Sequence, residues 1–297
     1  MSSFSRLGLG TAQFGLNYGV SNVNGQLVDS EIKKILKRAK NHGVQVLDTA
    51  YAYGESEQVL GKCLDVSTDF RIVTKTVPIR KLTIGQAEIN KISENFESSL
   101  VKLNRTQIDT LMVHHAEDLL VPGGENVFSK MQEWKAKEKI KKIGVSVYDR
   151  LQIEQLFDRY HFDVVQLPIS VYDQRLLQDG TLAQLRFAGV EIHARSILLQ
   201  GVLLISPDKL PSYLSALSNH HDRYFAYLKS IKVNPLEAAI TFVTNCAEIS
   251  VVIVGVSADQ DFEECIAAAS SDIAPDLSGF AIADKRLIDP RTWPSKS

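Results

Sequence analysis

The chain has 297 residues, 44% hydrophobic and 23% charged, and its 33 Lys and Arg against 35 Asp and Glu leave a formal charge of −2. That balance gives no electrostatic case for nucleic acid or an anionic membrane, and no run of about 18 apolar residues is present to span a bilayer. Cys63, Cys246 and Cys265 are scattered and suit free thiols rather than a disulfide framework or a metal site. The first residues lack the pattern of a secretory signal, so a cytoplasmic location is expected.

Residues 7–13 read as a short apolar strand ending in polar residues. A Gly/Asn-rich loop follows, with Asn17, Gly19, Asn22, Asn24 and Gly25. Asp29 and Ser30 offer a cap for a helix carrying Ile32, Ile35, Leu36 and Ala39 at helical spacing, closed by Asn41-His42-Gly43. Residues 44–50 form the second strand and 56–64 a helix. Residues 70–77 form a third strand, with Lys75 near its end, and 86–103 a long amphipathic helix. The fourth strand, 108–115, ends in two histidines. A helix near 127–137 leads to a fifth strand at 140–147, then a helix at 151–159 to a sixth at 163–169. A helix at 181–188 precedes the seventh strand at 190–196. Helices at 224–228 and 235–246 precede the eighth at 250–255, and a last helix covers 260–269.

Eight short apolar strands alternating with helices, without a linker, predict a single-domain (β/α)8 barrel over residues 1–297. An open doubly wound sheet is the runner-up, but Gly8 and Gly10 do not make its phosphate-binding G-x-G-x-x-G. Residues 284–297 are left as a C-terminal tail or a flap over the site.

The barrel places Asp48, Tyr53, Lys75 and His114 at or just past neighbouring strand ends, on the face where such folds do their chemistry. A phenol is a poor acid at neutral pH. An adjacent ammonium would lower its pKa, and a carboxylate would keep that ammonium charged and oriented. Asp48, Lys75 and Tyr53 therefore form a candidate relay delivering a proton to a carbonyl oxygen, with a neutral His114 donating a hydrogen bond to the same oxygen. Tyr51 is expected to pack or rim the site, and His115 to stand outside it. Glu55 and Glu57 are expected to serve a helix N-terminus. His193, His220 and His221 are expected to be structural or surface residues, and the lysines between 135 and 142 a solvated charge run.

Four motifs, Leu47-Asp48-Thr49-Ala50 with Tyr53-Gly54, Val73-Thr74-Lys75, Ile108-Asp109 with His114, and Ile143-Gly144-Val145-Ser146, resemble the aldo-keto reductase superfamily over nearly the whole chain. Residues Gly10-Thr11-Ala12-Gln13-Phe14-Gly15 resemble bacterial members associated with polysaccharide or sugar-nucleotide pathways. The resemblance implies reduction of an aldehyde or ketone by hydride from a nicotinamide cofactor, NADP(H) first and NAD(H) second, without a metal. It implies a small carbonyl substrate, a sugar derivative among the candidates, and a monomer or weak homo-oligomer. By motif position, Gly10 and Thr11 would lie against the cofactor, and Ser146 and Gln166 would hold its carboxamide. Gln200 and Gly201 would pass near the pyrophosphate, and Gly255, Val256 and Ser257 near the adenosine phosphate.

Departures from the family pattern stand beside these matches. Val147 replaces a common asparagine. Arg195, followed by Ser196, stands where an aromatic residue usually stacks on the nicotinamide, and its charge would favour the reduced ring over the cationic oxidised one. Past the last strand the chain offers Gly255 and Asp261, with Asp259, Glu263 and Glu264 nearby, where members selecting a 2′-phosphate carry Lys and Arg. Substrate choice is expected from loops at 17–26, 116–126 and 200–221. Two other classes remain open: a Schiff-base lyase using Lys75, and a cofactor-binding sensor or partner subunit with little turnover.

Overall fold

Strands buried on both faces need no alternation, only a run of apolar residues, and the eight strands here are such runs. In a computed structural model, which describes residues 6–20, 25–65 and 68–294, they close into a parallel barrel in the order β1 to β8. Asn22 and Asn24 of the expected loop lie outside the described residues.

The elements run β1 (Leu7–Gly10), α1 (Ala12–Gly15), α2 (Asp29–Asn41), β2 (Val46–Asp48), α3 (Ser56–Cys63), β3 (Arg71–Lys75), α4 (Gln86–Lys102) and β4 (Ile108–Val113). They continue with α5 (Gly124–Ala136), β5 (Ile140–Ser146), α6 (Arg150–Phe157), β6 (Val164–Pro168), α7 (Arg175–Gln178), α8 (Thr181–Phe187) and β7 (Glu191–Arg195). The last are α9 (Ser218–Ile231), α10 (Pro235–Thr244), β8 (Val251–Gly255), α11 (Asp259–Ala269) and α12 (Lys285–Ile288).

Val46, Val73, Met112, Val164, Val251 and Ile253 form an apolar cluster of strand residues. A larger core joins barrel and helices; α2 contributes the expected Ile32, Ile35, Leu36 and Ala39. The cap of α2 differs from expectation. Val28 occupies that position without a side-chain bond, and Asp29 is the first helical residue, paired with Lys62.

A second core is absent from the sequence reading. Val171, Tyr172, Leu203, Tyr224 and Phe280 pack together with Ile288 of α12, which is 2% exposed. Burying side chains of this size stabilises by about 1.5–3 kcal/mol each. The C-terminal segment is thereby docked on the body of the protein, with Trp293 donating from Nε1 to the Arg286 carbonyl at 3.0 Å.

Candidate active site

The turn after β2 is built by close backbone approach. Gly54 has φ +57, and a Cβ there would meet the Gly15 carbonyl oxygen at 2.4 Å. A Cβ on Gly15 would in turn fall 2.0 Å from the Tyr53 carbonyl, so α1 can lie directly on the turn only because both residues are glycine. Buried hydroxyls lock the base of the turn. Thr11 Oγ1 donates to the Asp48 carbonyl at 3.0 Å, and Ser56 Oγ donates to the Thr11 carbonyl at 2.8 Å. Tyr53 is thus carried on a braced loop at the strand end.

Lys75, 1% exposed, donates from Nζ to both Asp48 oxygens and to the Thr49 carbonyl, each at 2.8 Å. An ammonium has three hydrogens, and here all three are engaged. Its nitrogen stands 5.1 Å from the Tyr53 ring centroid. Burial, then the Asp48 charge, push the Tyr53 phenol above its ordinary value, while Arg195 pulls the other way. Burial likewise draws the Lys75 ammonium down, against the attraction of Asp48.

His114 follows β4 and meets Tyr53 edge to face, with ring centroids 6.0 Å apart. Burial, followed by the charges of Lys75 and Arg195, lowers its pKa to about 3, so the imidazole is neutral at physiological pH. Its Nδ1 is buried without a partner. His115 turns instead to Asp118, with Nδ1 and Oδ1 3.1 Å apart. Tyr51 lies under Lys102, whose Nζ is 4.7 Å from its ring centroid.

These groups line a cavity of about 410 Å³, which also gathers Gly10, Thr11, Ser146, Gln166, Arg195, Ser196, Gln200, Gly201, Gly255, Val256, Ser257, Asp261 and Glu264. Some of their polar atoms are already bound within the protein. Gln166 donates from Nε2 to Asp48 Oδ1 at 2.7 Å, which engages one of its two amide hydrogens and fixes the amide. Ser257 N–H is capped by Asp261 Oδ2 at 2.9 Å. Arg195 Nη2 donates to the Val147 carbonyl at 3.0 Å, and its guanidinium rests 4.1 Å from the Tyr148 ring centroid.

The opposite face of Tyr148 is covered by Arg291, 3.3 Å from the centroid, which Asp289 holds from Nη2 at 2.6 Å. The C-terminal segment thus reaches a residue of the cavity wall. The sequence carried no local signal for this stack, because Arg195 and Arg291 lie 47 and 143 residues from Tyr148 in the chain. Tyr18, Gly19 and Gln13 also line the wall, the first two in a loop expected there and none singled out as a site residue. Gln13 is 8% exposed, and its Oε1 has no hydrogen-bond partner. Of the loops expected to shape the substrate end, 17–26 supplies Tyr18 and Gly19, and 200–221 supplies Gln200, Gly201 and Leu204. Segment 116–126 supplies no wall residue among those described.

Glu57 does more than stand at a helix start. It lies in the first turn of α3 as expected, but its side chain is 1% exposed and accepts from Thr74 Oγ1 at 2.6 Å and Ser99 Oγ at 2.9 Å, tying α3 to β3 and α4. His193 lies buried beside Glu191 on β7, and His221 bonds Tyr172 and the Ile205 carbonyl, both inside the protein. Among the described residues, no helix is long and apolar enough to cross a membrane.

A model of the aldo/keto reductase family matches residues 6–276. The chain is 30% identical over 175 residues to the oxidoreductase YdhF of Escherichia coli, covering 54% of this chain and 58% of that protein. It is 24% identical over 310 residues to L-galactose dehydrogenase of Arabidopsis thaliana, covering 98% and 93%. The chain spans little more than half the length of the first curated relatives it matches, 56% and 58%. Its fold is similar to the holo form of the aldo-keto reductase AKR11C1 from Bacillus halodurans, with a TM-score of 0.75 at 19% identity over 94% of this chain and 92% of that one.

Proposed function

The chain belongs to the aldo/keto reductase family, and from that premise we propose that it reduces an aldehyde or ketone to an alcohol with a reduced nicotinamide dinucleotide. The observation that carries the reading is the single cavity joining Asp48, Lys75, Tyr53 and His114 at one end to Ser257, Asp261 and Glu264 at the other. Its walls fit a long polar ligand. Gly255 leaves the backbone bare beside Gln13, whose amide a Cβ would meet at 2.9 Å and whose Oε1 is buried without a partner. Ser146, Gln166, Arg195, Gln200 and Gly201 would hold the dinucleotide between these ends.

When bound, the dinucleotide supplies the hydride. The protein's part is proton placement. Tyr53, its pKa raised by burial, keeps its proton until negative charge develops on the carbonyl oxygen, which is the condition for a general acid that does not leak. His114 Nδ1 lies buried without a partner, where a bare nitrogen costs less than an orphaned N–H. That leaves the proton on Nε2, available to the same oxygen. Asp48 and Lys75 form the rigid wall behind Tyr53, with the Lys75 ammonium directed to Asp48 and Thr49. Arg195 opposes the upward shift of the phenol and would favour the uncharged reduced ring over the oxidised one.

Lys75 does not suit a Schiff base: its nitrogen makes three hydrogen bonds and its side chain is 1% exposed. The name of the plant relative supports a sugar-derived carbonyl compound as substrate. A panel of aldoses, sugar lactones and simple aldehydes, followed by nicotinamide absorbance, tests the reading with Tyr53→Phe alongside. Turnover by wild type and its loss in the variant are expected; equal rates would remove Tyr53 from its role.

A further inference from the structure

The two ends of the cavity carry opposite charge. Near Tyr53 the wall holds Lys75, matched by Asp48, and Arg195, which pairs with no carboxylate among the described residues. At the far end, where β8 leads into α11, the wall holds Asp261 and Glu264 and neither a lysine nor an arginine.

A phosphate group entering that end would look first for the free amides that open α11. Two of the amides there are already capped by carboxylates: Ser257 N–H by Asp261 Oδ2 and Asp259 N–H by Glu31 Oε1, both at 2.9 Å. It would look next for a guanidinium. Arg38 is the arginine at this helix start, and it is engaged. It donates to Asp259 from Nε at 2.8 Å and Nη2 at 2.7 Å, while Nη1 lies 3.2 Å from Glu263. A phosphate would therefore meet carboxylates where it needs cations.

A hydroxyl pair meets the opposite. Hydroxyls are donors, and this end is rich in acceptors. Asp261 Oδ1 takes no hydrogen bond among the described residues. Gln13, nine-tenths buried and backed against Gly255 in the wall of the same cavity, has an Oε1 without a partner. The orphaned Gln13 oxygen is an observation independent of the acidic helix start, and it asks for a donor, not an anion.

We infer that this chain selects NADH over NADPH, with Asp261 receiving the adenosine ribose diol and Asp261 and Glu264 together excluding a 2′-phosphate. This reverses the family-based expectation of NADP(H), and it rests on the proposed use of a reduced nicotinamide dinucleotide. An acidic side chain on a ribose diol is the general device by which dinucleotide sites choose the unphosphorylated form. What is particular here is that Asp261 also occupies one of the amides a phosphate would use, and Glu31 another.

The test is equilibrium binding to the purified full chain, read by nicotinamide fluorescence with each reduced dinucleotide and no carbonyl compound present. NADH is expected to bind at least about tenfold more tightly than NADPH. In the Asp261→Asn and Glu264→Gln double variant, the amide oxygen of Asn can still cap Ser257 N–H, so the helix start is kept. NADPH affinity should rise about tenfold there, while NADH, whose diol loses a charged acceptor, should bind about three- to tenfold more weakly. Equal or tighter NADPH binding by wild type overturns the selectivity. A preference for NADH that the double variant leaves unchanged overturns its assignment to these carboxylates. If neither dinucleotide binds at millimolar concentration while thermal unfolding shows the chain folded, the cofactor reading fails and the inference falls with it.

Discussion

The barrel carries a carboxylate–cation cluster at each end of its strands, and the two do different things. At the N-terminal end, Glu191 accepts from Arg71 at 3.0 Å and Lys142 at 2.5 Å, and its Oε1 lies 3.0 Å from His193 Nε2. Burial raises the Glu191 carboxyl, but the His193 and Lys142 contacts outweigh it and hold the group below its ordinary range. At the C-terminal end, Asp48 accepts from Lys75 and Gln166 just as completely. The floor cluster ends in its own partners. The mouth cluster stands behind Tyr53 and His114, which face the cavity. Paired charge does not distinguish a site from a plug; what distinguishes it is a neighbouring titratable group left open to a ligand.

Substitutions at the two ends should separate activity from stability. The largest effect is expected from Tyr53→Phe, which should lower kcat by about 10²–10⁴ while leaving the urea midpoint unchanged. Glu191→Gln should leave kcat within about twofold; a comparable loss of turnover there would erase the contrast.

Lys75→Met comes next. It leaves Asp48, 4% exposed, without its counter-ion, and about 3–5 kcal/mol of stability should be lost in urea unfolding. Adding Asp48→Asn should restore much of that stability without restoring turnover. At the floor, the Arg71 and Lys142 side chains are each 32% exposed and can rehydrate, so Glu191→Gln should cost only about 1 kcal/mol. A floor cost equal to the mouth cost would show that depth of burial is not what separates them.

The smallest effect is a slope. His114 stays neutral in the folded chain down to about pH 3, while in the unfolded chain it takes a proton near its ordinary 6.5. Between those values the unfolded state binds more protons, so stability falls as pH drops. His114→Asn removes this term, and wild type should lose more of its unfolding midpoint than the variant between about pH 7 and pH 4. Parallel profiles would mean that His114 is not held neutral by the fold.

Much of this was legible in the chain, for local reasons. The alternation of apolar runs with 3.6-residue periodicity predicts eight βα units. A strand that ends in Asp48, Lys75 or next to His114 predicts where those side chains emerge, because strand ends are set by nearby residues. The four groups, drawn from three strands, do line one cavity. The partners of Glu57 were not legible for the complementary reason. An acidic residue in a first helical turn looks solvent-facing until Thr74 and Ser99 arrive from β3 and α4 to supply two hydroxyls.

The sequence by itself determined the fold class and the order of the chemical groups around the barrel. Both follow from periodicity and from residues near one another in the chain. Only the tertiary structure decided how those groups are engaged: that Lys75 directs all its protons to Asp48 and Thr49, that Tyr148 lies between Arg195 and Arg291, and that carboxylates cap the start of α11. A side chain's type states which hydrogen bonds it can make. Which partner takes them, and whether any remain for a ligand, depends on atoms brought within about 3 Å by the folding of distant segments.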